Sequence, residues 1–147
     1  MAAIRRAEAT WSGALTSGSG EVSAISSGAF SALPVTWASR TETSDGRTSP
    51  EELVAAAHAS CFAMALSGAL ARAGTPPERL DVSAEVTFDK LDAGWRVVSS
   101  ALTVRGRVPG SNAADFEAAA QATKDGCPIS VALAGNVALS VVATLEG

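Results

Sequence analysis

The alternation of hydrophobic and polar residues in the first third of the chain predicts short strands joined by turns rich in Gly and Ser. Three such strands are predicted, over residues 7–15, 21–26 and 35–42. In the third, side chains alternate with a period of two, which would place Arg40 on the face opposite Trp37. The beginning of the chain is therefore expected to form a small sheet.

A long helix is predicted next, because its start and stop signals are both strong. Ser49 at the N-cap, Pro50 at the first helical position and Glu52 three residues after the cap form a capping-box pattern, and Gly74 ends the helix. The hydrophobic residues between them fall on every side of the helix, as in a buried helix. Such a rod is about 35 Å long, too long for one small domain to cover, so we expect a second subunit.

The rest of the chain predicts two strands, two helices and a final strand. Hydrophobic residues alternate with polar ones along the first strand of this group, which is typical of an antiparallel sheet with one face exposed to water. The order of elements predicts one α+β domain over 1–147, with helices packed on antiparallel sheets. The predicted elements are strands 80–90 and 95–108 around the turn "LDAG", helices 112–126 and 127–135, and strand 136–145.

Composition and charge exclude several classes of protein. The 147 residues are 47% hydrophobic, which suits a globular domain, and the net charge of −4 is scattered without a basic tract that would bind nucleic acid. We expect no membrane span, since no window reads as the ~18 consecutive apolar residues that one requires. The Arg pair near the N-terminus precedes no apolar run of the kind that export signals carry, so we expect a cytosolic protein.

The two cysteines are the candidate reactive groups, and in a reducing compartment we expect them to be free thiols. Cys127 directly precedes Pro128, so it takes the N-cap position of a helix, where free backbone N–H groups favour a thiolate. Cys61 lies inside the apolar helix, which disfavours the thiolate. A reactive Cys61 would need a buried cation, and Arg40 is the candidate because its segment leads into the loop before the helix.

Glu51 is the carboxylate available to hold that arginine. Ten residues separate Glu51 from Cys61 in the sequence, which corresponds to about 15 Å along one helix. Glu51 therefore could not hold an arginine beside the sulfur of its own helix. If two helices pack antiparallel in a dimer, Glu51 of one chain can approach Cys61 of the other, so we expect a composite site.

His58, the only histidine, lies three residues before Cys61 on the same helical face. A zinc site needs about four ligands, and only His58, Cys61 and Cys127 are evident, so we expect no metal and a histidine hydrogen-bonded within the fold. Two other functions stay open at this point. One is a cysteine hydrolase that uses Cys61 and His58. The other is a binding protein with two inert thiols.

The segments "SPEELVAAAHASCFAMAL" and "GCPIS" resemble the OsmC/Ohr family, and "AAHASCF" is closer to its OsmC branch. The resemblance implies a homodimer with long central helices buried between wrapped sheets. It also implies a thiol peroxidase that prefers organic hydroperoxides and serves in oxidative-stress defence. The peroxidatic cysteine of the family matches Cys61 and its resolving cysteine Cys127. Its glutamate matches Glu51 and its arginine Arg40, with Arg47 as the competing position.

The same resemblance implies a reaction cycle. The Cys61 thiolate would reduce the peroxide and become a sulfenic acid, and Cys127 would convert it to a disulfide. No bound cofactor is expected, because an external dithiol, such as a lipoylated protein, would reduce the disulfide. The alkyl part of the substrate would contact three hydrophobic neighbours of Cys61 on the helix, Leu53, Phe62 and Met64.

Overall fold

The computed structural model describes all 147 residues, and the first of its two units, residues 1–53, contains a three-stranded antiparallel sheet. The strands are β1 (Ala7–Ser12), β2 (Ser19–Ala24) and β3 (Leu33–Val35), in that order across the sheet. Every residue of β1 is exposed. The second unit comprises residues 54–147, and the single domain expected from the sequence stays a prediction.

The segment predicted as the third strand, 35–42, is mostly a short helix, so that prediction is wrong. After β3 ends, α1 (Trp37–Thr41) begins with Thr36 as its N-cap. The Thr36 hydroxyl accepts from the Ser39 N–H (3.0 Å), and the Ser39 hydroxyl accepts from the Thr36 N–H (3.0 Å). This reciprocal cap outweighs the alternating pattern of side chains. Trp37 and Arg40, three positions apart, consequently lie close, with the guanidinium 5.8 Å from the ring centre.

The long helix α2 (Pro50–Arg72) forms where the sequence predicts it. The Ser49 hydroxyl accepts from the Glu52 N–H (3.1 Å), which satisfies one of the free donors at the helix start. The Glu52 carboxylate accepts from the Thr48 hydroxyl (2.7 Å) instead of closing the predicted capping box. The Ser49 cap and the hydrogen bond between Thr48 and Glu52 therefore fix the start of α2 together.

The hydropathy of α2 differs from the sequence expectation. An 18-residue window of this helix has a mean hydropathy of 1.7, so by length and composition α2 could cross a membrane. The many alanines raise the average although polar residues interrupt the run. The core helix of a soluble protein passes the same test, so the test alone does not make α2 a membrane span. Within the chain 22% of the window is fully buried, and most of its other residues are half-buried.

The second unit is built on a mixed three-stranded sheet. β4 (Arg79–Leu91) and β5 (Gly94–Arg107) form the predicted antiparallel hairpin. β6 (Ala138–Leu145) pairs with β5 in parallel, so the expectation of a purely antiparallel sheet is wrong for this pair. The two helices between β5 and β6 form the crossover connection that a parallel pair requires.

The helices of that crossover begin at side-chain caps. α3 (Ala113–Gly126) starts at Asn112, and α4 (Pro128–Leu133) starts at Cys127, as predicted. α3 lies so close to β5 that a Cβ atom on Gly106 would be 2.5 Å from the Phe116 ring. The core of this unit joins α2, the sheet and α3, and it contains Phe62, Leu66, Leu70, Leu102, Val104, Val108, Phe116, Ala120 and Val141.

Candidate active site

Both cysteines are free thiols, and the fold of the second unit brings them together. Cys61 is half-buried on α2, and Cys127 is buried at the N-cap of α4. The Cys61 thiol interacts with the Cys127 side chain and with the backbone N–H of Ile129. The Cys127 sulfur accepts from the backbone N–H of Ser130 (3.4 Å). Two thiols distant in sequence thus meet at the first turn of α4.

The surroundings of Cys61 within this unit disfavour its thiolate. Burial raises the pKa of the Cys61 thiol above its ordinary value. The hydrogen bond from the Ile129 N–H lowers this pKa, whereas the adjacent Cys127 raises it, and the net direction is upward. A low-pKa nucleophile at this position would need a positive charge beside it.

The predicted cation and carboxylate form a close pair in the first unit. Nε of Arg40 donates to both carboxylate oxygens of Glu51 (2.9 and 3.1 Å), and Nη2 lies 2.9 Å from Oε1. The Glu51 side chain is almost fully buried, while about a third of the Arg40 side chain (32%) is exposed. The competing Arg47 is exposed and pairs with Asp45 (3.3 Å). Glu51 therefore orients the Arg40 guanidinium.

A hydrophobic pocket of about 260 Å³ lies beside the Arg40 guanidinium in the first unit. Its walls come from β1, the loop after it, β3, α1 and the start of α2. Apolar walls next to one guanidinium suit an alkyl group that carries a polar head. Sequence patterns did not reveal this pocket, because its residues are far apart in the chain: Trp11, Leu15, Val35, Thr36, Trp37 and Pro50.

The residues expected to contact an alkyl tail have different surroundings from those predicted. Phe62 is fully buried in the core and offers no surface to a substrate, so its assignment is corrected. Met64 is exposed (71%) and lines a separate cleft beside Pro77 and Leu80. Leu53 is half-buried. Of these two apolar sites, the pocket beside Arg40 is the one that adjoins a predicted catalytic residue.

His58 is fully buried and occupies the middle of a side-chain hydrogen-bond network. Its Nδ1 is 2.6 Å from Ser100 Oγ on β5, and its Nε2 is 2.8 Å from Ser130 Oγ on α4. Ser130 Oγ is in turn 3.1 Å from the Cys127 sulfur. Burial lowers the pKa of His58, so the ring is neutral near pH 7. Sequence reasoning missed both serines. The spacing of Ser130, three residues after the capping cysteine in "CPIS", could have indicated it, whereas no sequence signal pointed to Ser100.

Comparison with known proteins agrees with the sequence resemblance. Residues 43–142 match the family described as OsmC-like protein. Peroxiredoxin OsmC of Escherichia coli (strain K12) is 40% identical over 139 residues, which cover 95% of this chain and 96% of that protein. Organic hydroperoxide resistance protein OhrA of Bacillus subtilis (strain 168) is 33% identical over 92 residues, 61% of this chain and 62% of that protein.

The fold also has close relatives among solved structures. The crystal structure of the organic hydroperoxide resistance protein OhrB of Bacillus subtilis superimposes with a TM-score of 0.73. The alignment covers 96% of this chain and 98% of that one, at 21% identity. The OsmC-like α+β fold predicted from the sequence is confirmed, with open sheets and a central helix, whereas the homodimer stays a prediction.

Proposed function

Because the chain belongs to the OsmC-like protein family, we propose that it is a thiol-dependent peroxidase that reduces organic hydroperoxides to alcohols in oxidative-stress defence. The relatives named as a peroxiredoxin and as an organic hydroperoxide resistance protein support a role in peroxide defence. The observation that carries the proposal is the meeting of Cys61 and Cys127 at the start of α4.

The first step uses Cys61 as the nucleophile. Its thiolate attacks the distal oxygen of the hydroperoxide, the O–O bond breaks, and the alcohol leaves after taking up a proton. Cys61 becomes a sulfenic acid. The guanidinium of Arg40 offsets the burial that raises the Cys61 pKa, and its charge also favours the alkoxide as it leaves. Glu51 holds the guanidinium in a bidentate pair during this step.

The second step forms a disulfide. The Cys127 sulfur attacks the Cys61 sulfur, the S–O bond breaks, and water leaves. An external dithiol then reduces the disulfide by thiol exchange, so the cycle needs no bound cofactor. A lipoylated protein is the type of reductant we propose, and the reducing cytosol is the compartment in which free thiols persist.

We place the complete site between the subunits of a homodimer. In this arrangement Arg40 and Glu51 of one subunit serve Cys61 of the other, as the ten-residue separation along the helix suggests. Two surfaces of the chain support a partner of the same kind. The whole of β1 is exposed, and α2 exposes a row of small and apolar side chains, Ala56, Ala57, Met64 and Ala71.

The pocket beside Arg40 explains a preference for organic over hydrogen peroxide. Its apolar walls gain free energy by contact with an alkyl or aryl group, roughly 0.8 kcal/mol for each CH₂ group buried. Hydrogen peroxide has no such group. The volume of about 260 Å³ suits a small or medium hydrocarbon tail.

A turnover assay tests this function. The protein is mixed with a small dithiol and either cumene hydroperoxide or hydrogen peroxide, and loss of peroxide is measured. We expect reduction of both, with kcat/KM at least tenfold higher for the organic substrate, and no turnover by a Cys61→Ser variant. Equal turnover by that variant, or none by the wild type with several dithiols, would refute the proposal.

One alternative from the sequence is disfavoured by the contacts of His58. A cysteine hydrolase needs the imidazole to take the proton of the nucleophile. Both ring nitrogens of His58 instead bond to serine hydroxyls, those of Ser100 and Ser130. The nucleophile Cys61 has no such base, which favours the peroxidase.

A further inference from the structure

We propose that Ser130 is a catalytic residue of the step that forms the disulfide, and that His58 positions it. The Ser130 hydroxyl donates a hydrogen bond to the Cys127 sulfur as that sulfur attacks. His58 makes this possible by donating its own hydrogen bond to the Ser130 oxygen, which leaves the Ser130 proton for the sulfur. The inference rests on the proposed peroxidase function, because it concerns the resolving cysteine of that reaction.

The geometry is a continuous chain of four side chains across three elements. Ser100, His58, Ser130 and the Cys127 sulfur follow one another at 2.6, 2.8 and 3.1 Å. All four residues are at most 1% exposed, so water does not compete for these hydrogen bonds. No buried side-chain nitrogen or oxygen in the chain lacks a partner. Such a network fixes the positions of its side chains, and a change of donor in one hydrogen bond changes the donor in the next.

The chemistry follows from the single proton of a serine hydroxyl. Ser130 has two neighbours, His58 Nε2 and the Cys127 sulfur, and can donate to only one of them. When the neutral ring is protonated at Nδ1, Nε2 accepts the Ser130 proton, and Ser130 can only accept from the Cys127 thiol. When the ring is protonated at Nε2, it donates to Ser130, whose own proton is then free for the sulfur.

The second arrangement is the reactive one. The Cys127 sulfur then receives two hydrogen bonds, one from the Ser130 hydroxyl and one from the Ser130 backbone N–H. Its own S–H no longer needs Ser130 and can point to the sulfenic hydroxyl on Cys61. As the S–S bond forms and the S–O bond breaks, the thiol proton moves to the departing hydroxide, and water leaves. Both donors stabilise the negative charge that develops on sulfur.

Few other charged groups face Cys127. From α2, Cys61 adjoins it, and Arg72 lines the same cavity of about 290 Å³. From α3, that cavity is lined by the uncharged Ala119, Ala122, Thr123 and Gly126, and β5 contributes Ser100 to the network. No carboxylate lines the cavity, so the titratable neighbours of Cys127 are Cys61 and, through Ser130, His58.

The test is the rate of disulfide formation in a single turnover. Reduced protein receives one equivalent of cumene hydroperoxide, the reaction is quenched with an alkylating reagent at set times, and mass spectrometry separates thiol, sulfenic acid and disulfide. In Ser130→Ala we expect the sulfenic acid to form at the normal rate. Its conversion to disulfide should be about 10- to 100-fold slower, the effect of one charge-assisted hydrogen bond. The pH midpoint of this conversion should rise by about one unit.

Two further substitutions make the result specific. Thr123→Val removes another buried hydroxyl near Cys127, one that donates to Ala119, and it should leave the rate within about twofold. His58→Gln keeps an N–H donor for Ser130 and should retain most of the rate, whereas His58→Leu should be as slow as Ser130→Ala. A purely structural role would not produce the shifted pH midpoint or the rescue by Gln.

The outcomes separate the two proposals. A wild type that forms the disulfide, together with a Ser130→Ala variant of unchanged rate and pH midpoint, overturns this inference alone. An equally large effect of Thr123→Val overturns it too. A wild type that forms neither sulfenic acid nor disulfide refutes the peroxidase function itself.

A measurement on the wild type stands even if a variant fails to fold. His58 is the only histidine, so its ring nitrogens give an unambiguous ¹⁵N NMR spectrum. We expect the ring to change from the Nδ1–H to the Nε2–H tautomer as Cys127 ionises. A tautomer that stays Nδ1–H throughout that titration overturns the inference.

Discussion

Cys61 has surroundings within its own unit that oppose its reactivity. Burial raises the pKa of its thiol, and the neighbouring Cys127 adds to the rise. The hydrogen bond from the backbone N–H of Ile129 lowers this pKa. The sequence pointed to the two thiols through their motifs and to Arg40 and Glu51 through the family resemblance, and the structure brings each of these two pairs together. The pocket beside Arg40 could not be predicted, because it is assembled from residues that only folding brings together.

Removal of the guanidinium should expose the unfavourable pKa of Cys61. In Arg40→Ala we expect the rate constant for reaction with cumene hydroperoxide at pH 7 to fall at least 100-fold. It should recover partly as the pH rises, because a raised thiol pKa leaves little thiolate at neutral pH and more in alkali. Stopped-flow measurements between pH 5 and 10 test this. Arg47→Ala is the matched control and should behave like the wild type; if it matches Arg40→Ala, the arginine is misassigned.

At the scale of elements, α1 shows how a local cap can override a side-chain pattern. The alternation over 35–42 is typical of a strand, yet the reciprocal pair Thr36 and Ser39 satisfies two of the free backbone donors at the start of a helix. The signal was visible in the sequence as Thr-x-x-Ser, a weaker form of the Ser-x-x-Glu pattern that predicted α2. As a consequence, the helical turn places Arg40, the proposed catalytic arginine, beside Trp37.

Loss of this cap should loosen Arg40. We expect Thr36→Ala to lower the free energy of unfolding by about 1 kcal/mol, the usual contribution of an N-cap. The rate of peroxide reduction should fall several-fold, because the arginine is held less firmly. Urea unfolding and the single-turnover rate measure the two effects. Thr43→Ala, in the exposed loop after α1, is the control; an equal loss in that variant would contradict the role of the cap.

His58 joins α2 to β5 and α4 through its two serine partners. The sequence correctly suggested a histidine bonded within the fold, but not which residues it bonds. Both partners are distant in the chain, and serines of this kind are common. Because burial lowers the pKa of His58 below the ordinary 6.5, the folded protein resists a proton that the unfolded chain accepts.

The stability of the protein should therefore decrease in mild acid. A lowered folded-state pKa means that the contribution of His58 is complete above pH 6.5 and is lost as the pH falls through the folded-state value. Below about pH 6.5 the free energy of unfolding should drop by up to about 1.4 kcal/mol per pH unit until the pH reaches the folded-state pKa of His58. Urea unfolding across this range measures the slope. His58→Gln should flatten it; a slope that persists there would assign the effect to carboxylates.

At the scale of the whole molecule, the surfaces left uncovered are the main feature. All of β1 is exposed, and only 22% of the apolar window of α2 is fully buried within the chain, with Ala56, Ala57, Ser60 and Met64 exposed. The length of α2 and its hydrophobic residues on all sides suggested a partner from the sequence alone. The parallel β5–β6 pair was not predicted, since strand direction depends on how the α3–α4 crossover returns the chain.

Mixing two inactive variants tests the composite site. The purified Cys61→Ser and Arg40→Ala variants are mixed in equal amounts, unfolded together and refolded. In a symmetric dimer with shared sites, half of the random dimers carry one intact site, so about a quarter of wild-type activity should return. Sedimentation of the mixture checks that dimers form. No recovery among verified mixed dimers would show that each site uses residues of one subunit.

The most direct test of the account is the mass of the protein after one equivalent of an alkyl hydroperoxide. We predict a loss of about 2 Da in the wild type, with one peptide pair linked through Cys61 and Cys127, and a gain of about 16 Da in Cys127→Ser, the mass of a sulfenic acid. Two thiols that remain fully open to alkylation after the peroxide is added, or a disulfide formed only between chains, would contradict it.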